Sequence, residues 1–266
     1  MNANQRTIYL LNKYGVGAQK RFSQNFLIDD KSIKTIVNSI PYADLDEVVE
    51  IGPGLGSLTV EIVKKAKHLT AIEFDNDMVK VLKGEIVSSN FTLIQNDFLK
   101  QDLTIFNNEK VGYIGNLPYQ ITRELIKKIV SSGHFSFFGF MVQKELADDL
   151  FYKVNNPSNN NYSAFLSIVG NLERTLDLLP RYFSPAPKVY STFLTLKPTD
   201  LRYANLETFK ILSIIFNNTK KNLYNNLRNS ILKDKLKVFD DLKLDRTIRA
   251  HQLSINQLKE LVDYLK

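Results

Sequence analysis

Apolar residues recur along this chain in two rhythms, and the balance between them changes near residue 200. Over 30–40, Ile33, Ile36, Val37 and Ile40 fall on one face of a helix, and the stretch ahead of them reads as an irregular arm. From residue 47, short apolar runs alternate with helical segments. The runs 47–52, 69–74, 91–94, 111–114 and 135–142 predict strands. The segments 58–66, 78–86 and 124–130 predict helices between them. Such alternation builds βαβ units and a mostly parallel sheet. Beyond 164 the strand signals at 165–169, 174–178 and 189–196 come without long helices, which predicts antiparallel strands at one sheet edge. The stretch 155–161 is a polar loop. After Pro198 the pattern is helical throughout. The expectation is therefore an α/β domain over 1–200, with a Rossmann-like sheet, and a small all-α domain over 201–266.

Charge adds a second layer. The net charge is +7, but it is unevenly spread. The first 27 residues hold Arg6, Lys13, Lys20 and Arg21 and no acid, and residues 201–266 hold 13 basic against 7 acidic side chains. The body between them is mildly acidic. Lysine-rich helices are often simply solvated, yet two basic ends around an acidic body favour a polyanionic partner such as nucleic acid. The absence of cysteine excludes disulfides, zinc-thiolate sites and a cysteine nucleophile. Three scattered histidines make a metal site unexpected. No apolar run is long enough to span a bilayer, and no leader is visible, so a cytoplasmic protein is expected.

In open α/β sheets, ligands bind beyond the carboxyl ends of the strands. Four strand ends here carry conspicuous residues. Gly52-Pro53-Gly54-Leu55-Gly56 is a glycine loop between strand and helix. Alone it fits a tight turn or a dinucleotide site equally, although no further glycine stands where the dinucleotide fingerprint has its third. Glu73 ends the next strand, where a carboxylate can accept from both hydroxyls of a ribose. Asp97 ends the third, in reach of an adenine amine. Together they outline an adenosine cradle without a phosphate-binding lysine. Asn116-Leu117-Pro118-Tyr119 ends the fourth. The Asn116 side-chain carbonyl and the Leu117 backbone carbonyl, held by Pro118, can accept the two hydrogens of an exocyclic amine. Tyr119 offers a face on which a base can stack.

At these residues the chain resembles the ribosomal RNA small-subunit adenine dimethyltransferases (the KsgA/RsmA family), relatives of the Erm methyltransferases. Lys20 to Leu27 (KRFSQNFL), Glu50 to Thr59 (EIGPGLGSLT), Asp97-Phe98, Asn116 to Tyr119 and Phe183 to Val189 (FSPAPKV) resemble the family's motifs, and the resemblance runs over nearly the whole chain. It implies N6-dimethylation of adenines in 16S ribosomal RNA during ribosome maturation, with S-adenosylmethionine as methyl donor. It also implies a monomer acting on a small-subunit precursor particle, without metal or membrane. Asn25, Leu27, Gly52, Gly54, Glu73, Asp97, Phe98 and Asn116 would hold the cofactor. Asn116, Leu117, Pro118 and Tyr119 would form the reaction centre, with Phe183 stacking on the target adenine opposite Tyr119. Lys20, Arg21, Lys188, Lys220, Lys221, Arg228 and Arg249 would meet RNA. Thr219-Lys220-Lys221 departs from the family's arginine-containing run, and Gln120 stands where asparagine is common. The alternatives are an Erm-type 23S ribosomal RNA methyltransferase, an NAD-dependent dehydrogenase, for which no catalytic His or Tyr–Lys pair is found, and a noncatalytic assembly factor.

Overall fold

A helix, α1 (Ala3–Tyr14), occupies the computed structural model where the sequence pattern suggested an irregular arm; the structure describes residues 1–16, 25–106 and 110–266. The cause is local. Asn2 accepts from the Gln5 amide at 2.8 Å while Gln5 returns a bond to the Asn2 amide, a capping box worth about 1 kcal/mol. Gly15, at φ +62°, ends the helix in the left-handed region. A short strand β1 (Phe26–Leu27) and α2 (Asp30–Asn38) follow.

The elements then alternate: β2 (Glu47–Ile51), α3 (Thr59–Ile62), β3 (Leu69–Glu73), α4 (Asn76–Glu85), β4 (Phe91–Gln95), β5 (Val111–Asn116), α5 (Thr122–Val130) and β6 (Phe137–Gln143). Next come α6 (Lys144–Asp149), α7 (Asn161–Val169), β7 (Gly170–Leu178), β8 (Phe183–Ser184) and β9 (Ser191–Pro198). Seven strands form one sheet in the order β4-β3-β2-β5-β6-β9-β7. The pairs from β4 through β6 are parallel, and β9 runs antiparallel to β6. This is the mostly parallel sheet with antiparallel character at one side that the pattern predicted. Strands β2, β3 and β5 are buried almost throughout, as strands covered on both faces must be, and so read as continuous apolar runs.

One expected strand is a helix. Residues 165–169 belong to α7, whose first turn is fixed by Asn160 accepting from Tyr162 and Ser163 amides. A five-residue run that is apolar apart from Ser167 does not distinguish a buried strand from one side of a buried helix. Here the run packs against helices: α7 contacts α8 (Leu206–Ile215) and α11 (Ile255–Leu265).

The chain divides into two compact units. The first comprises Met1–Ile129, His134–Lys144 and Glu173–Lys197 and holds nearly all of the sheet. The second comprises Val130–Gly133, Glu145–Leu172 and Pro198–Lys266 and holds α7, α8, α9 (Leu223–Arg228), α10 (Val238–Asp241) and α11. The helical segment expected from 201 thus lies in the second unit, which also takes in Glu145–Leu172 because α7 shares its core. No described helix is long and apolar enough to cross a membrane.

The close approach of β5 to β2 depends on Gly115. A Cβ there would lie 2.7 Å from the Ile51 carbonyl oxygen, a backbone atom with no freedom to retreat. Gly115→Ala is expected to destabilise the protein by about 1–3 kcal/mol, read as a lowered thermal midpoint by circular dichroism; an unchanged midpoint would mean that the two strands are not held this tightly.

Candidate active site

The strand order reverses between β2 and β5, so the loops leaving these neighbours diverge and leave a crevice at their carboxyl ends. A cavity of about 370 Å³ lies there, entirely within the first unit. Its size suits a small molecule.

The glycine loop forms one wall. Gly52, Gly54 and Gly56 have φ of +62°, +58° and +77°, a conformation that only glycine adopts without strain. A Cβ on Gly54 would also crowd the Phe26 ring, at 3.2 Å. The Gly56 amide closes a turn on the Pro53 carbonyl at 2.9 Å. Glu73, from the end of β3, reaches under this turn. Its Oε2 accepts from the Gly54 amide at 3.0 Å and its Oε1 from the Asp75 amide at 2.8 Å. Burial, which leaves Glu73 only 7% exposed, pushes its carboxyl above the usual range despite these bonds. Each oxygen keeps a lone pair for a ligand hydroxyl.

Asp97 follows β4, where its Oδ1 accepts from the Leu99 amide at 2.9 Å. That loop is held from across the sheet by Lys128 of α5, which donates to the Leu99 and Gln101 carbonyls at 2.8 and 2.6 Å. Phe98 is buried edge-on against Tyr113.

Asn116 ends β5, paired with Met141 of β6. Its Nδ2 donates to the Asn25 carbonyl at 3.0 Å. A carbonyl can only accept, so this bond fixes which end of the Asn116 amide is which and leaves Oδ1 as the acceptor for a ligand. The Leu117 amide is tied to the Met141 carbonyl, and Pro118 begins a turn in which its carbonyl accepts from the Ile121 amide and the Thr122 hydroxyl. The Tyr119 hydroxyl meets Ser191 Oγ at 3.0 Å, and burial raises its pKa.

Asn25, Leu27, Gly52, Gly54, Glu73, Asp97, Phe98, Asn116, Leu117, Pro118 and Tyr119 all line this cavity. Phe183 does not. It is 3% exposed, registered opposite Leu27 in the β1–β8 pair, and packed in the main core. Lys188 is exposed in the first unit, and Lys220, Lys221, Arg228 and Arg249 are exposed in the second. Lys20 and Arg21 lie outside the described residues.

Two wall residues escaped the sequence reading. Phe74 follows Glu73 and is 61% exposed at the cavity, an apolar face offered to a flat ring. Its signal was an aromatic side chain immediately after a strand-end acid. Glu50 lies within β2, 2% exposed, with Oε2 buried and unpartnered among the described residues. Burial, reinforced by the nearby Glu73, pushes its carboxyl up to about 8. Its signal was an acid inside an otherwise apolar strand.

The wall therefore holds Glu50, Glu73, Asp75 and Asp97, and no Lys, Arg or His among the described residues. An acidic cavity in a protein of net charge +7 repels phosphates. It fits an adenosine derivative that is cationic at its other end, as a sulfonium or an ammonium is. No group of three or more His, Cys, Asp or Glu among the described residues could hold a metal ion.

Comparison with known proteins identifies the family. The family model described as ribosomal RNA adenine dimethylase matches residues 16–266. A ribosomal RNA small subunit methyltransferase A of Mycoplasmopsis pulmonis is 37% identical over 240 residues, 89% of this chain and 94% of the relative. One from Clostridium perfringens is 33% identical over 268 residues, covering 97% of this chain and 94% of its own. Among solved structures, a dimethyladenosine transferase from Plasmodium falciparum superposes with a TM-score of 0.78 at 22% identity, covering 89% of this chain and 95% of that one. With the family model spanning all but the first helix and two relatives aligned over most of their length, the chain belongs to the ribosomal RNA adenine dimethylase family.

Proposed function

We propose that this protein dimethylates the N6 amine of adenines in 16S ribosomal RNA, as a cytoplasmic monomer acting on a small-subunit precursor particle. The observation that supports this most is the orientation of Asn116. Its donor end is consumed by Asn25, so only an acceptor is presented where an amine must be received.

S-adenosylmethionine, when bound, supplies an electrophilic methyl group on a sulfonium. Glu73 would accept from the ribose hydroxyls, Asp97 would accept from the adenine amine, and Phe74 would offer a face to the adenine. Glu50, on the cavity wall, would meet the ammonium of the methionine part. The target adenine leaves its stack and is received by Tyr119, a base-stacking contact worth about 1–3 kcal/mol, with Phe183 as the second aromatic once its ring turns from the core. Asn116 Oδ1 and the Leu117 carbonyl accept the two amine hydrogens. This draws the nitrogen lone pair out of conjugation with the ring and opposes the positive charge that develops on nitrogen. The ammonium formed when the nitrogen takes the methyl group, with the sulfonium becoming a neutral thioether, is acidic enough to release its proton to water, so no general base is needed. A second round requires the singly methylated amine to return to the same acceptors. Lys188, Lys220, Lys221, Arg228 and Arg249, with Lys20 and Arg21, meet RNA phosphates. At Thr219-Lys220-Lys221 that contact is a point charge rather than a guanidinium fork. The region 201–266 then serves RNA binding and 1–200 the chemistry.

Asn116→Ala should lower kcat on the order of 10²-fold and leave the dissociation constant of S-adenosylhomocysteine little changed, as measured by labelled-methyl transfer and calorimetry. Undiminished turnover would remove the amine-acceptor role. Methyl transfer should appear on unmethylated small subunits rather than on naked 23S RNA; the reverse preference would assign an Erm-type substrate.

Glu50 generates a pH prediction. Its folded carboxyl titrates at about 8, above its ordinary 4.5. The folded empty enzyme thus holds a proton that the unfolded chain releases, and this contribution to stability, full below pH 4.5, is lost as pH rises through about 8. At pH 7 the group is mostly protonated, and an arriving ammonium favours its carboxylate. Binding of S-adenosylhomocysteine should therefore release a proton, seen as a calorimetric enthalpy that depends on the buffer's ionisation enthalpy. Glu50→Gln should abolish that dependence. A buffer-independent wild-type enthalpy would separate Glu50 from the ligand.

A further inference from the structure

The glycine turn is braced on one side by Glu73, which holds the Gly54 amide. A second charged side chain holds it from the other side, and that residue comes from α1, outside the span matched by the family model. Arg6 Nη1 donates to the Leu55 carbonyl at 2.7 Å. That carbonyl and the Gly56 amide share one peptide plane. Since the Gly56 amide donates to the Pro53 carbonyl, the plane is gripped at both its oxygen and its nitrogen. The Leu55 side chain is also fixed, 1% exposed in a cluster with Leu10, Phe26, Met78 and Val81. The turn whose glycines line the cavity has little freedom left.

The helix is also docked by contacts at both of its ends. The first turn of α1 is tied by the Ala3 amide to Asp30 at 3.0 Å. Its last turn is tied to α4, where Lys13 and the Tyr14 hydroxyl meet Glu85 at 2.7 and 2.9 Å. Leu10 is fully buried between these ties. Arg6 is a different kind of contact. Its Nη2 is buried with no hydrogen-bond partner among the described residues, so a guanidinium is partly desolvated, with the Glu85 carboxylate as a nearby opposite charge, while its Nη1 is spent on one loop carbonyl. Such burial is unfavourable for anchoring alone. A charge-assisted bond to a backbone carbonyl does, however, hold a peptide more rigidly than a neutral one.

We propose that Arg6 is a positioning residue of the cofactor site: through the Leu55 carbonyl it pre-sets the Gly52–Gly56 turn, so that the N-terminal helix is a functional part of the methyl-donor pocket. The proposal rests on the reading of this cavity as the S-adenosylmethionine site. Without the clamp the turn samples other orientations, and ligand binding must select the correct one, which lowers affinity in proportion. Once the ligand is bound the turn is ordered in either case, so turnover at saturation is preserved.

The test compares Arg6→Gln, Arg6→Lys and Lys13→Ala with the wild type, using full-length protein. S-adenosylhomocysteine is titrated by calorimetry well below each melting transition, and kcat and the KM for S-adenosylmethionine are measured on unmethylated small subunits. Arg6→Gln should raise the dissociation constant and KM about tenfold with kcat preserved. Arg6→Lys, which keeps a charged donor, should recover part of that loss and also serves if the glutamine variant fails to fold. Lys13→Ala, which cuts an ion pair of the same helix away from the turn, should leave the dissociation constant unaltered. An unaltered constant in both Arg6 variants would overturn the proposal, as would an equal rise in Lys13→Ala, which would reduce Arg6 to a helix anchor. Glu73→Ala run in parallel separates the two layers: if it too leaves the constant unaltered, the cavity reading falls rather than the role of Arg6 alone.

Discussion

A buried carboxylate organises the ligand-binding end of the sheet. Glu73 stands at the end of β3, where few side chains are more costly to bury than an acid. Two backbone amides, of Gly54 and Asp75, offset that cost, and each belongs to a different element. The first fixes the glycine turn after β2. The second sets Asp75, whose own carboxylate accepts from the Asp77 amide and starts α4. Helix α4 in turn presents Met78 and Val81 to Leu10 of α1 and to Leu55 of the turn. The strand end, the loop and two helices are thus linked through one side chain whose remaining lone pairs face the cavity.

The four strand ends were legible in the sequence because a parallel sheet announces itself by short apolar runs, and polar residues directly after such runs have few other uses. Gly52, Glu73, Asp97 and Asn116 followed from that rule alone. What the rule could not reach falls into two kinds. Helix α1 and the run 165–169 failed on ambiguity of local pattern: the first has a weakly apolar face, and the second is apolar at every position but Ser167 and so shows no clear period. Glu50, Phe74 and Arg6 failed for a different reason. Their significance lies in what they face across the fold, and no spacing along the chain encodes that Arg6 meets a carbonyl 49 residues away. Phe183 marks the opposite case, a motif residue whose ring lies in the core rather than on the cavity wall.

The distribution of charge separates two tasks. The cavity is acidic and suits a small cation; the exposed lysines and arginines of the second unit suit a polyanion. Within the first unit, Tyr119 lines the cavity. Its hydroxyl is held by Ser191 of β9, a fully buried residue on the antiparallel strand, so the aromatic face at the cavity is positioned by the part of the sheet that departs from the parallel plan. Antiparallel β9, which lies between β6 and β7 in the sheet, thus fixes the Tyr119 side chain at the cavity.

The bond from Asn116 to the Asn25 carbonyl has one more consequence. A carboxamide is nearly symmetric in shape but opposite in sense at its two ends. Were Asn25 to move away, a half-turn of the Asn116 side chain would cost little and would exchange an acceptor for a donor at the cavity wall. The polarity of that wall is therefore written partly by a backbone atom 91 residues upstream. An aspartate at 116, though similar in size, would set oxygen against oxygen at that contact, so the scaffold itself favours an amide over an acid at this position.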